Sequence, residues 1–157
     1  MSKLHLHIAN ANQNFTSREV SAFKSATKKA EAFISAMFRQ FDYEVDIIIT
    51  TPSFTLPTIA EDGIAGKTLH SHLIVLSIDK QQHEITEDFV FETICHEMSH
   101  SLRWEKLPEY AETMFDGMVL EGLAVAPEEE AVAKTGRRDK QFFLKEMQKP
   151  LKLKSIR

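Results

Sequence analysis

Residues 96–106 read HEMSHSLRWEK, and residues 121–124 read EGLA. On a helix, His96 and His100 differ by about 40° in azimuth and one turn in height, so both imidazoles can reach one ion. Glu121 supplies a third ligand if a second helix returns antiparallel to the first. Three protein ligands leave one position of a tetrahedral zinc ion for water, which is typical of a catalytic site. The two motifs therefore predict one catalytic Zn²⁺.

The helix that carries both histidines also carries the predicted general base. Thr86 can cap this helix, one of its sides is apolar, and it should end before Pro108. Glu97 adjoins a ligand but is offset around the helix, so we predict that it takes a proton from the attacking water and passes it to the leaving amine. The alternative is a polar helix face that binds nothing, with Glu97 as a surface carboxylate.

The position of the third ligand depends on where the second helix begins. Thr113 as N-cap, with Asp116 at the third helical position, places the ligand about two turns into the helix, near the height of the histidines. We expect this helix to span about Met114 to Ala126 and to be ended by Pro127. Gly122 has no side chain, so we expect it to let the two helices approach closely.

Outside the two motifs, the sequence predicts strands, further helices and one long irregular segment. Residues 52–66 contain two prolines and two glycines and predict a long irregular segment at the rim of a cleft. The other predicted elements are a strand at Leu4–Ile8, a helix from Ser17 with a Thr16–Glu19 capping box, strands at Glu44–Thr50 and Leu73–Ile78, and helices over Glu128–Lys134 and Asp139–Gln148.

Three other side chains invite functional interpretations that we rank below structural ones. His5 and His7 project from one face of the first strand, where surface polar residues are favoured over a second metal site. Cys95 adjoins His96, but neighbouring helical side chains point about 100° apart, so a buried core thiol is favoured over a Cys–His nucleophile. This single cysteine also excludes a closed thiolate zinc site.

Composition indicates one ordinary globular domain over residues 1–157, with 43% hydrophobic and 27% charged residues. A net charge of −4 argues against a nucleic-acid partner, and we interpret the basic segment 137–157 as a solvated face. We find no signal peptide or membrane segment and expect a cytoplasmic protein. The sequence contains no heptad seam from which to infer an oligomeric state.

The two motifs resemble the bacterial YjaZ-type predicted zinc-dependent proteases, whose signature is HExxHxxRW with a downstream EGLA segment. The resemblance covers about residues 63–126, and more broadly the chain is similar to gluzincin metallopeptidases. It implies His96, His100 and Glu121 as ligands, Glu97 as the catalytic residue, and peptide hydrolysis. It also implies an α+β, zincin-like fold: a small mixed sheet, an active-site helix and a second helix bearing the ligand glutamate.

The zincin resemblance raises four expectations about the site. In that architecture an edge strand pairs with an extended peptide, and Leu73–Ile78 is our candidate. Many gluzincins have an aspartate where this chain has Val125, so another acceptor must hold the imidazoles. Arg103 is expected to pair with a carboxylate near the ion, with substrate, or in an ordinary salt bridge. The candidate oxyanion donors are Tyr110, His70 and His72.

The leading functional hypothesis is therefore a small zinc-dependent peptidase whose partner is a peptide or protein substrate. A zinc-binding regulatory or interaction protein without peptidase activity is the alternative. A third hypothesis is a metal-free structural domain. The intact Glu97 argues against the zinc-binding protein without peptidase activity, and a metal-free domain would be purified without zinc.

Overall fold

A computed structural model describes residues 3–38, 41–53, 63–81, 84–106 and 113–135 of the chain. The candidate site lies on two consecutive helices near the C-terminal end of this range. In chain order the elements are β1 (Leu4–Ile8), α1 (Ser17–Met37), β2 (Val45–Thr50), β3 (Ile64–His70), β4 (Leu73–Ile78), α2 (Glu87–Lys106) and α3 (Met114–Thr135).

The four strands form one mixed sheet in the order β1-β2-β4-β3. β1, β2 and β4 run parallel, with α1 connecting the first two, whereas β3 pairs antiparallel with β4. α2 lies against β3 and β4, and it also packs against α1 on one side and α3 on the other. The predicted combination of helices with a small mixed sheet is confirmed.

Local sequence signals explain where α1 begins and which side it buries. The Thr16 side chain accepts a hydrogen bond from the backbone N–H of Glu19, whose carboxylate in turn accepts from the backbone N–H of Thr16 at 2.6 Å. This is the predicted capping box. The helix then places one apolar stripe against the sheet, and its buried residues include Phe23, Ala26, Ala30, Phe33 and Ile34.

The prediction that Leu73–Ile78 forms the edge strand is wrong. This strand, β4, has neighbours on both sides, and five of its six residues are buried, as expected for a central strand. The edge is β3, which occupies Ile64–His70 and therefore includes Gly66, a residue that we had assigned to an irregular segment. An antiparallel hairpin partner, which lies nearby in sequence, orders this weakly apolar segment.

The helix that follows the histidine helix begins as predicted. The Thr113 hydroxyl accepts from the backbone N–H of Asp116 at 3.1 Å, and α3 starts at Met114. Its predicted end is wrong, because α3 continues through Pro127 to Thr135 and includes the segment expected to form a separate helix.

Tertiary contacts on both sides of Pro127 explain this continuity. Proline interrupts a helix by removing one N–H and crowding the carbonyl four residues earlier. Here Ala124 and Ala131, one turn on either side, are completely buried, and the Lys134 ammonium lies 4.4 Å from the centre of the Phe33 ring. These contacts on both sides of Pro127 favour a continuous helix in spite of the proline.

Two other expectations concern Gly122 and the parts of the chain that are not described. A Cβ on Gly122 would meet nothing within 4 Å, so the prediction that this glycine permits close helix packing is wrong. The predicted helix at residues 139–148, the basic segment and most of the loop at residues 52–66 lie outside the described residues. In the described part of the chain, no helix combines the length and hydropathy needed to cross a bilayer.

Candidate metal centre

The predicted ligands come together where α2 and α3 pack. His96 and His100 lie one turn apart on α2, with side chains 19% and 10% exposed. Glu121 lies about two turns into α3, as the Thr113 cap requires, and its side chain is 66% exposed. The cluster is therefore enclosed by the two helices on one side and open to solvent on the side of the carboxylate.

The distances between the candidate ligand atoms match those around a tetrahedral ion. Nε2 of His96 is 3.3 Å from Nε2 of His100 and 3.3 Å from Oε2 of Glu121. Nε2 of His100 is 3.7 Å from Oε1 of the same carboxylate. Bonds of ~2.0–2.1 Å from a tetrahedral zinc ion place its ligand atoms about 3.3 Å apart. Two imidazoles and one carboxylate thus fit a zinc ion in both donor type and spacing.

Glu128 supplies a contact that the sequence analysis did not predict. Its Oε2 lies 2.9 Å from Nδ1 of His96, and its side chain is only 15% exposed. An acceptor at Nδ1 holds the proton on that nitrogen and leaves Nε2 free of a proton, as a metal ligand requires. Because Glu128 follows Glu121 by seven residues, two turns of α3 place both carboxylates on the histidine-facing side of the helix.

The carboxylates make the cluster favourable for a positive charge. Burial lowers the pKa of His96, but the hydrogen bonds with Glu121 and Glu128 outweigh it and raise the pKa to about 10. The hydrogen bonds from His100 and His96 hold the pKa of Glu121 well below its usual range. The negative charge of these carboxylates would also favour a divalent cation, which competes with the proton for Nε2 of His96.

Arg103 links the second histidine to α3. Its Nη2 lies 3.1 Å from Nδ1 of His100 and donates to the carbonyl oxygen of Leu120 at 3.1 Å. Arginine has only donors, so Nδ1 of His100 is the acceptor in this arrangement. Binding a metal through Nε2 of neutral His100 would place the proton on Nδ1, leaving the carbonyl of Leu120 as the acceptor for Arg103.

Glu97 lies on the side of α2 that faces β3, and the residue is only 6% exposed. The Thr68 hydroxyl lies 2.8 Å from Oε2 of this carboxylate. Burial raises the pKa of Glu97, although the hydrogen bond from Thr68 opposes the shift. The predicted base is therefore a buried carboxylate, not the surface side chain of the alternative interpretation.

A family model described as Predicted Zn-dependent protease (DUF2268) matches residues 23–150. The chain belongs to this family. The family description implies zinc dependence and a peptide or protein substrate, in agreement with the resemblance noted from the two motifs. Comparisons with curated proteins and with solved structures found no match.

The other histidines form separate contacts in this member of the predicted Zn-dependent protease family. His70 and His72 lie at the turn between β3 and β4, where the backbone N–H of His72 donates to Nδ1 of His70 at 3.2 Å. Nε2 of His72 is also 3.2 Å from Glu105. Within the described ranges, the cluster able to hold a metal contains neither histidine. Tyr110, the remaining candidate oxyanion donor, lies outside them.

The structure favours the structural interpretations of His5, His7 and Cys95. His5 lies 3.2 Å from Glu44, and His7 lies 2.7 Å from Asp46, so each imidazole has its own carboxylate. Cys95 is completely buried in the core, and burial raises the pKa of its thiol. A buried neutral thiol is a poor nucleophile.

Three functional candidates had sequence signals that we did not use. Glu128 lies two turns after the candidate ligand Glu121, but the prediction that the helix ends at Pro127 obscured this periodicity. Gly66 lies between Ile64 and Thr68, two β-branched residues typical of strands, and an isolated glycine in a strand can indicate a close approach by another group. Thr68 shares a strand face with that glycine.

Replacing Glu128 with alanine is expected to lower the zinc affinity about 10- to 100-fold, because His96 loses the acceptor that orients its ring. Competition between the protein and a chromophoric zinc chelator measures this change. Glu129→Ala, at an exposed neighbouring position, is the matched control and should retain the original affinity. An unchanged affinity in Glu128→Ala would show that the contact does not support metal binding.

Proposed function

We propose that this chain is a zinc-dependent, gluzincin-like peptidase with a zincin-like fold, in which His96, His100 and Glu121 hold one Zn²⁺. The observation that carries the proposal is the spacing of two imidazole nitrogens and one carboxylate at the distances of a tetrahedral shell. Membership of a family described as zinc-dependent proteases supports the same activity. The three protein ligands leave a coordination position for water.

Glu97 is the general base in this proposal. When bound, Zn²⁺ supplies a Lewis acid that acidifies the attacking water and polarises the scissile carbonyl group. Glu97 accepts a proton from that water as the water oxygen bonds to the carbonyl carbon. It then donates the proton to the amine nitrogen as the carbon–nitrogen bond breaks. Burial raises the pKa of Glu97, which strengthens the carboxylate as a proton acceptor.

The edge strand β3 provides a place for an extended peptide. One side of β3 is hydrogen-bonded to β4, while its other side is the edge of the described sheet. A peptide added there as a further strand would lie beside α2, because β3 itself packs against α2. We propose that backbone pairing with β3 positions the substrate.

The activity should depend on bound metal. We expect the purified protein to contain about one equivalent of zinc and to cleave members of a peptide library. Chelation should abolish cleavage, and stoichiometric zinc should restore it. Metal analysis measures the zinc content and mass spectrometry of the peptides measures cleavage, both on the same samples. Cleavage that persists in the zinc-free protein would overturn the proposal, as would zinc binding with no cleavage of any peptide.

A further inference from the structure

β3 contacts the Glu97 side chain through two residues on one strand face. The Thr68 hydroxyl lies 2.8 Å from Oε2 of Glu97 and 2.9 Å from the backbone carbonyl oxygen of the same residue. The hydroxyl thus lies between the helix backbone and the carboxylate, and it can donate its single proton to one of these two acceptors at a time. Since Glu97 is 6% exposed, water has little access to replace this partner.

Gly66 lies against the same carboxylate. A Cβ at this position would lie 2.4 Å from Oε1, 2.5 Å from Cγ and 2.7 Å from Cδ of Glu97. These distances are shorter than any van der Waals contact, so the Glu97 side chain occupies the volume that a larger residue would fill. Glycine is therefore required at position 66 for the observed conformation of the carboxylate.

Together these contacts restrict the carboxylate from two directions. Gly66 and Thr68 are two residues apart on β3, and alternate residues of a strand point to the same face. The glycine backbone lies against Oε1 and the end of the side chain, while the threonine hydroxyl holds Oε2. Rotation about the last bonds of Glu97 would bring it into the strand or break its hydrogen bond.

We propose that Gly66 and Thr68 are positioning residues that hold the Glu97 carboxylate in the orientation needed for proton transfer. This inference rests on the proposed peptidase function. It assigns the edge strand a second role beside substrate pairing, because the same strand then orders both the peptide and the base. A base that is misplaced by about 1 Å can cost about 100-fold in rate.

Gly66→Ala and Thr68→Val test the two contacts separately. In Gly66→Ala, the atoms that must move belong to the end of a flexible side chain. The fold should therefore survive while the carboxylate is displaced, and kcat should fall about 100-fold. Thr68→Val keeps the shape of the side chain but removes the hydroxyl, and it should also lower kcat. Thr68→Ser should retain most of the activity, because it restores the donor.

Substrate and metal binding should remain nearly unchanged in these variants. KM and zinc content are expected to match the original protein, since neither residue is a proposed ligand. Gly122→Ala is the matched control for Gly66→Ala, because its new methyl group meets nothing within 4 Å. It should keep the original kcat. Thr68→Val provides an independent test if Gly66→Ala fails to fold.

A thermodynamic cycle adds a readout that does not require catalysis. The melting temperatures of Thr68→Val, Glu97→Ala and the double variant should be non-additive, because each single variant removes the hydrogen bond between the two side chains. Additive changes would overturn the inference. So would unchanged kcat values in Gly66→Ala and Thr68→Val when the original protein cleaves peptides. If the original protein cleaves nothing, the proposed function fails first, and the positioning role fails with it.

Discussion

Glu97→Gln is expected to lower kcat by about 10²- to 10⁴-fold, because an amide cannot accept the proton of the attacking water. The zinc content should stay at about one equivalent, since the three ligands are unchanged. Peptide cleavage under saturating substrate measures the rate, and metal analysis of the same preparation measures the zinc. The variant therefore separates the chemical step from metal binding.

The stability of Glu97→Gln provides an internal control for this experiment. Burial raises the pKa of Glu97, which means that the fold disfavours its charged form relative to water. Replacing it with a neutral amide of similar shape should leave the melting temperature at pH 7 equal to or above the original value. Glu130→Gln, at an exposed position on α3, should change neither activity nor stability. Unaffected cleavage in Glu97→Gln would eliminate the proposed mechanism.

Glu121→Ala is expected to remove most of the bound zinc, because two imidazoles from a single helix are then the only proposed protein ligands. The carboxylate is 66% exposed, and the two imidazoles that lose it keep their contacts with Glu128 and Arg103, so the fold should survive. Metal analysis after dialysis against zinc-free buffer measures the effect. Glu129→Ala on the same helix is the control and should keep its zinc.

Thermal unfolding distinguishes ligand loss from a packing defect in Glu121→Ala. Zinc stabilises the folded state by mass action, by about 4 kcal/mol at a thousand-fold excess over the dissociation constant. The original protein should therefore melt at a higher temperature than the variant when zinc is present. After chelation, the difference should become smaller, because only the contacts of Glu121 with His96 and His100 are then lost. A difference that is as large in chelator as in zinc would mean that Glu121 acts without the metal, and full zinc retention would remove it from the ligand set.

Local signals in the sequence were sufficient to predict most of the helices and strands. The capping box at Thr16 and the N-cap at Thr113 each predicted the first residue of a helix, because both use hydrogen bonds within four residues. The His96–His100 spacing likewise depends only on the period of one helix. Glu121 was predicted from the start of its helix and from the height at which an antiparallel partner must present it.

The errors arose where a local preference competes with packing. Pro127 is a helix breaker by local criteria, but burial of Ala124 and Ala131 on either side maintains α3. Leu73–Ile78 was assigned to the edge of the sheet from the zincin resemblance, whereas β4 pairs on both sides and is buried as a central strand. Periodicity describes which face of an element is apolar, but it does not specify the neighbouring element.

By itself, the sequence determined the histidine helix, the residue types of the candidate ligands and the position of Glu97 beside one of them. Only the tertiary structure brought Glu128 to His96 and placed Gly66 and Thr68 against Glu97, the proposed general base. The physical reason is the range of the interactions. Capping and helical spacing act within a few residues, whereas these contacts join residues about thirty apart, and their geometry depends on how α2 packs against β3 and α3.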